Sequence, residues 1–157
     1  MKPGRVRVIG LWMSVGAALS AAPGCAGNGV GLDDQGNPRD STAQQVDTLS
    51  FSTRVQPIFS ANCALSGCHA GTQPAQGMNL SAGLAYQNIV NVPASERPGM
   101  MRVLPFKPDS SYLVHKIQGT QATVGGSGGR MPLGGTPLSA EQITLIRAWI
   151  AAGAKNN

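Results

Sequence analysis

One stretch of seven residues constrains this chain more than any other: Cys63-Ala64-Leu65-Ser66-Gly67-Cys68-His69. Two thiols are followed directly by an imidazole, which is the order that covalent haem attachment requires. The thiols bond to the edge of the porphyrin, and the adjacent histidine reaches the iron. The usual motif has two residues between its cysteines, whereas this chain has four. The longer spacing leaves the step from Cys68 to His69 unchanged, so geometry defines the second thioether better than the first.

The first 24 residues have the pattern of an export signal. A basic start is followed by an uncharged apolar run over residues 8–22. That run is short for a membrane span and is typical of a signal peptide. The sequence therefore predicts an exported protein that works in the periplasm or cell envelope.

Cys25 stands where such a signal would be cut. The sequence Ala22-Pro23-Gly24-Cys25 resembles a bacterial lipoprotein cleavage box, which predicts a lipid on Cys25 and attachment to a membrane surface. Cleavage after the small residues that end at Ala22 is the alternative. Lipidation would also account for the odd number of cysteines, because it leaves Cys63 and Cys68 as a pair.

Net charge excludes one class of function. The whole chain carries +5, but three of its 12 basic residues lie in the predicted signal peptide. After the signal, nine basic and seven acidic residues leave a net charge of +2. No basic stripe is present, so we expect no binding to nucleic acid.

The remaining chain divides into a tether and one domain. Residues 25–48 are mainly small and polar, which predicts a flexible tether. Residues 49–157 form the predicted domain, which is poor in aromatic residues and rich in Gly and Pro. A domain of about 100 residues with few large side chains needs a staple, a metal or a large apolar cofactor to complete its core. A haem would supply that filling.

Apolar periodicity predicts about four short helices and no strands, so the fold class is all-α. The first helix, ending near Cys63, has Ser50 or Ser52 as its N-cap. The next two cover about residues 82–90 and 111–118. Their predicted caps are Ser81 for the first, and Asp109 or Ser110 for the second. In the helix over residues 82–90 the predicted buried residues are Leu84, Ala85 and Ile89. In the helix over residues 111–118 they are Leu113, Val114 and Ile117, and Gly119 is predicted to end that helix.

The last helix has the clearest start. Ser139 and Gln142 have the spacing of a capping box, and Leu138 and Ile143 have that of a hydrophobic staple. Its predicted buried face contains Ile143, Ile146, Trp149 and Ile150.

A long loop over residues 119–137, with seven glycines, precedes this last helix. Loops of this length in compact domains are usually functional, and this one contains Met131-Pro132. A haem iron that transfers electrons takes a sixth ligand, and a thioether raises its potential relative to a second imidazole. Met131 is the predicted sixth ligand. The competing candidates are His115, Met100, Met101 and Met78.

Several motifs together resemble a bacterial class I c-type cytochrome domain over about residues 51–154. They are Val55-Gln56-Pro57-Ile58-Phe59, Cys68-His69-Ala70-Gly71, Met131-Pro132-Leu133-Gly134-Gly135 and the terminal Leu138-Ser139 with Trp149-Ile150-Ala151-Ala152-Gly153-Ala154. The resemblance implies a cytochrome c-like fold of about four short helices with long loops around one haem. It also implies that the first and last helices cross, with Ile58 or Phe59 near Trp149.

The predicted function is that of an electron carrier and not of an enzyme. Haem c would be attached through Cys63 and Cys68, with its iron held by His69 and Met131. Its partners would be other redox proteins. Arg102, Lys107 or Arg130 would pair with the haem carboxylates.

Three alternatives remain open. One is a disulfide between Cys63 and Cys68 in an exported binding or interaction module without haem, although so short a loop would stabilise little. Another is a zinc or copper site, which lacks a nearby fourth ligand. The third is a haem protein with an open sixth position that senses or reduces a small ligand.

Overall fold

The computed structural model describes residues 49–157, and the predicted signal peptide, Cys25 and the predicted tether lie outside them. Within the described residues the chain forms four α-helices and no strand, which confirms the all-α class. A π-helical turn at Phe51–Val55 runs into α1, and shorter 3-10 turns lie at Ala75–Gly77, Pro108–Ser110 and Gln121–Val124. The helices are α1 (Gln56–Asn62), α2 (Ala85–Ile89), α3 (Tyr112–Gln118) and α4 (Ala140–Ala151). None of them is long and apolar enough to cross a membrane.

The first helical segment delivers the chain to Cys63, as predicted. The Ser50 hydroxyl accepts the Thr53 N–H at 3.4 Å, so Ser50 is the N-cap. Pro57 lies in the first turn of α1, where the missing N–H costs nothing. The helix ends at Asn62, and the Cys63 N–H donates to the Phe59 carbonyl at 2.8 Å.

Helix α2 differs from its prediction at its start. Ala85 and Ile89 are buried as expected, but Leu84 is 41% exposed. The helix begins at Ala85, so Leu84 precedes its first turn and lies off the face that Ala85 and Ile89 share. The predicted Ser81 side-chain cap is also wrong. The Ser81 carbonyl, and not its hydroxyl, accepts the N–H groups of Leu84 and Ala85.

Helix α3 has the predicted buried face and end. Leu113, Val114 and Ile117 are buried, and Gly119 ends the helix with a left-handed φ of 79°. Neither Asp109 nor Ser110 caps it, because the helix starts at Tyr112, just after Ser111.

The polar residues before α3 bond elsewhere. The Ser111 hydroxyl donates to the Lys107 carbonyl and accepts the Leu104 N–H, both at 2.9 Å. The Asp109 carboxylate pairs with Arg147 at 2.7 Å.

Helix α4 has the predicted capping box. The Ser139 hydroxyl accepts the Gln142 N–H at 3.2 Å, and the Gln142 side chain accepts the Ser139 N–H at 2.9 Å. Ile146, Trp149 and Ile150 are buried, whereas Ile143 is half-buried against the same core.

Replacing Ser139 by Ala removes this cap. We expect the free energy of unfolding to fall by about 1 kcal/mol, because an N–H at the start of α4 loses its acceptor. Urea unfolding followed by circular dichroism measures the change. Ser139→Thr keeps the hydroxyl and serves as the control, and equal stability of the Ala variant and the native chain would contradict the capping role.

The first and last helical segments meet in an aromatic cluster. The Phe51 ring lies 5.1 Å from Trp149, 5.5 Å from Tyr86 and 6.3 Å from Phe59, measured between ring centroids. Helix α4 therefore packs on the N-terminal turn as well as on α3. Phe51 therefore contacts the rings of both Trp149 and Phe59.

Candidate cofactor site

The loop between the two cysteines is short and closed on itself. The His69 N–H donates to the Cys63 carbonyl at 3.1 Å, and the Cys68 N–H donates to the Leu65 carbonyl at 3.0 Å. Gly67 makes the turn with a left-handed φ of 78°, a conformation that glycine adopts without strain. The two residues that this motif has beyond the usual spacing therefore lie in a turn, and the turn brings His69 back to the end of α1.

The His69 imidazole is buried and oriented by backbone groups. Its Nδ1 lies 3.2 Å from the carbonyl oxygens of both Ala75 and Met78. Because both partners are acceptors, Nδ1 carries the proton and the lone pair is on Nε2. A histidine that binds a metal is commonly oriented in this way.

The two cysteines are free thiols in different surroundings. Cys63 is buried in the core, whereas Cys68 is exposed on the loop. Burial, and then the neighbouring Cys68, raise the pKa of the Cys63 thiol to about 11. No bond joins the two sulfur atoms in this structure.

Two adjoining cavities share Cys63, His69 and Met131 in their walls. The larger, of about 390 Å³, also contacts Cys68 and Leu133. Its volume lies within the range of roughly 300–1,000 Å³ that is usual for small-molecule sites. The smaller cavity extends inward between apolar side chains, among them Leu80, Leu113 and Ile117. Together the cavities form a mainly apolar space with a histidine and four sulfur-bearing residues at its walls.

The structure brings Met131 to His69 across a long stretch of chain. The Met131 N–H donates to the Lys116 carbonyl near the end of α3, at 2.9 Å, and so ties the loop to that helix. Met131 thus lines both cavities, as a sixth ligand would require.

The competing sixth ligands are less well placed. Both ring nitrogens of His115 have partners, Thr120 Oγ1 at 2.9 Å and the Asp109 carbonyl at 3.1 Å. Met100 and Met101 line neither cavity. Met78 lines only the smaller cavity, and its backbone carbonyl contacts Nδ1 of His69.

One end of the smaller cavity is polar. Arg102 lines it and donates to the carbonyls of Asn88 and Gln76 at 2.8 and 2.7 Å. Of the three cations predicted to meet haem carboxylates, only Arg102 lines either of these two cavities. Lys107 is exposed, and Arg130 donates to the Ile117 carbonyl at 3.0 Å.

Sequence reasoning missed a group of residues beside Arg102. Glu96 and Lys116 form an ion pair at 2.7 Å, and both line the smaller cavity with Tyr112. No local pattern identifies this group, because Glu96 lies in an irregular segment and Lys116 follows a buried stretch of α3. The one signal in the sequence was Lys116, an ionisable residue on the apolar side of α3.

We also searched the described residues for a site that could hold a metal ion without haem. Across residues 49–157, no three or more His, Cys, Asp and Glu side chains are arranged to hold a metal ion. The donors at the cavity walls are an imidazole nitrogen, two thiols and two thioether sulfurs, a set that could hold a haem covalently and bind its iron.

Comparison of the chain with protein-family models, with characterised proteins and with solved structures gave no match.

Proposed function

We propose that residues 49–157 are a monohaem c-type cytochrome domain with a cytochrome c-like fold, which carries single electrons between redox partner proteins. The protein would be exported and held at a membrane surface by a lipid on Cys25. One observation carries the proposal: Cys63, His69 and Met131 converge on one apolar cavity, and Cys68 lies at its wall.

Each residue has a role in this proposal. The thiols of Cys63 and Cys68 would hold the haem covalently. His69 Nε2 and the Met131 sulfur would bind its iron. When bound, haem supplies a one-electron oxidation and reduction.

The surrounding chain would set the conditions for that chemistry. The buried side chains of Leu80, Leu113 and Ile117 exclude water from the inner cavity. Exclusion of water and a thioether ligand both favour the less charged, reduced state and so raise the potential. Arg102 would receive a haem carboxylate. None of these groups acts on a substrate bond, so the domain is proposed as a carrier and not as an enzyme.

The test is to express the full chain in bacteria with haem-attachment machinery and to measure the mature protein by intact mass and absorbance. We expect one covalent haem that oxidises and reduces reversibly, and a lipid-modified terminus beginning at Cys25. Expression without the attachment machinery is the control. A colourless protein that gains two hydrogens on reduction would contradict the proposal and identify a disulfide-stapled module instead.

A further inference from the structure

The segment that carries Met131 is fastened to α3 at two points. We call residues 125–131 the glycine loop. In its middle, the Ser127 carbonyl accepts hydrogen bonds from the Tyr112 hydroxyl at 2.9 Å and the Lys116 ammonium at 3.2 Å. At its end, the Met131 N–H donates to the Lys116 carbonyl at 2.9 Å. Lys116 therefore contacts the glycine loop with both its side chain and its backbone.

The segment around Glu96 holds the same loop from another part of the chain. The Glu96 carbonyl accepts the Ser127 N–H at 3.2 Å, and Arg97 donates to the Val124 carbonyl just before the loop. The Glu96 carboxylate meets the Lys116 ammonium at 2.7 Å, with side chains only 18% and 7% exposed. The ion pair thus connects the segment around Glu96 to α3. Ser127 of the glycine loop bonds to both at that position.

The backbone of the loop lies directly against these side chains. A Cβ added at Gly126 would stand 2.4 Å from the Tyr112 ring. At Gly128 it would stand 2.6 Å from the Glu96 carboxylate and 2.7 Å from the Lys116 ammonium. Burial and the nearby Glu96 carboxylate also raise the pKa of Tyr112. At Gly126 and Gly128 the backbone of the loop therefore packs directly against Tyr112 and the Glu96–Lys116 pair, and a side chain at either position would clash with them.

We propose that the Glu96–Lys116 ion pair is a latch that keeps the glycine loop closed and so fixes Met131 beside the cavity. This inference rests on the proposed function, because the role of a fixed Met131 is to be the sixth ligand. Glu96 and Lys116 are positioning residues that act through the loop. Removing the Glu96 charge leaves the Lys116 ammonium buried without a counter-ion. Opening of the glycine loop would expose that ammonium to water, so the variant favours the open loop.

The test compares Glu96→Gln with the native haem-loaded protein and uses imidazole as a competing ligand for the sixth position. We expect the variant to bind imidazole about tenfold more tightly, because apparent affinity rises with the population of the open loop. Glu96→Asp keeps the charge and should restore part of the native affinity. Asp109→Asn breaks the exposed pair with Arg147 and serves as the matched control, with no change expected.

Amide hydrogen exchange gives a second measurement that does not depend on haem chemistry. In Glu96→Gln we expect the amides of Ser127 and Met131 to exchange faster, while those of α4 stay as in the native protein. Native imidazole affinity together with unchanged exchange in the loop would overturn the latch. Faster exchange in every helix would also overturn it, because the pair would then support the whole fold.

The two proposals fail in different ways. A native protein without haem, or a Met131→Ala variant with an unchanged spectrum, would defeat the proposed function. The exchange rates of Ser127 and Met131 in Glu96→Gln would still decide whether the latch exists.

Discussion

Replacing Cys68 by Ala is expected to lower the yield of covalent haem at least about tenfold, whereas Cys63→Ala should keep most of it. Cys68 is exposed and directly precedes His69, so its thiol is accessible and its position relative to the proposed ligand is fixed. Cys63 is buried, and with a pKa raised to about 11 only roughly one thiol in ten thousand is ionised at pH 7. The thiolate is the reactive form. Intact mass of each variant, expressed with attachment machinery, measures the difference.

Alkylation of the haem-free chain is the control for this reasoning. With iodoacetamide at pH 8, Cys68 should react and Cys63 should stay largely unmodified. The sign of the pH dependence follows from the raised pKa: Cys63 becomes reactive only as the pH rises towards about 11. Equal rates at pH 8, or equal loss of haem in the two Ala variants, would show that the two thiols are equivalent.

Replacing Met131 by Ala is expected to lower the reduction potential by about 100 mV or more. The thioether favours reduced iron, and its loss leaves the sixth position to water or an added ligand. The absorption band that arises from sulfur-to-iron charge transfer should disappear. Redox titration and absorbance of the oxidised protein measure both changes.

Met78→Ala is the matched control, because Met78 is a second methionine in the wall of the inner cavity but, unlike Met131, does not line the larger cavity that Cys68 also contacts. Its potential should stay near that of the native protein. An unchanged potential in Met131→Ala would show that Met131 is not the ligand. If the native protein binds carbon monoxide as readily as Met131→Ala does, the sixth position is open and the domain is a ligand-binding haem protein instead.

The parts of the fold that the sequence predicted are those set by neighbouring residues. The Ser139–Gln142 capping box and the Gly119 stop depend on groups within one helical turn, so their spacing in the sequence is also their spacing in space. The same holds for the buried face of α3. The errors at Leu84 and Asp109 have the opposite cause. There the residues named as caps use other groups or other partners: Ser81 accepts through its backbone carbonyl, and the Asp109 carboxylate pairs with Arg147, so residue type alone did not locate the helix start.

The candidate site was predictable to a similar extent. Cys68 and His69 are adjacent in sequence, and Met131 stood out because it lies in a long glycine-rich loop before a well-capped helix. The Glu96–Lys116 pair could not be found in this way, because it joins two residues that no periodic pattern relates. Arg102 could be named as a candidate but not distinguished from Arg130 until the cavity wall was known.

The walls of the paired cavities come from segments far apart in the described chain: the end of α1, the segments around Leu80 and Ala94, helix α3 and the glycine loop. A group bound there would touch all of them at once. Molecules that fail to receive it would lack their central contact and would populate open, protease-sensitive forms, since a ligand bound only to the folded state stabilises that state. If the domain binds haem as proposed, cofactor insertion would then decide which copies of the protein survive, so maturation would serve as quality control.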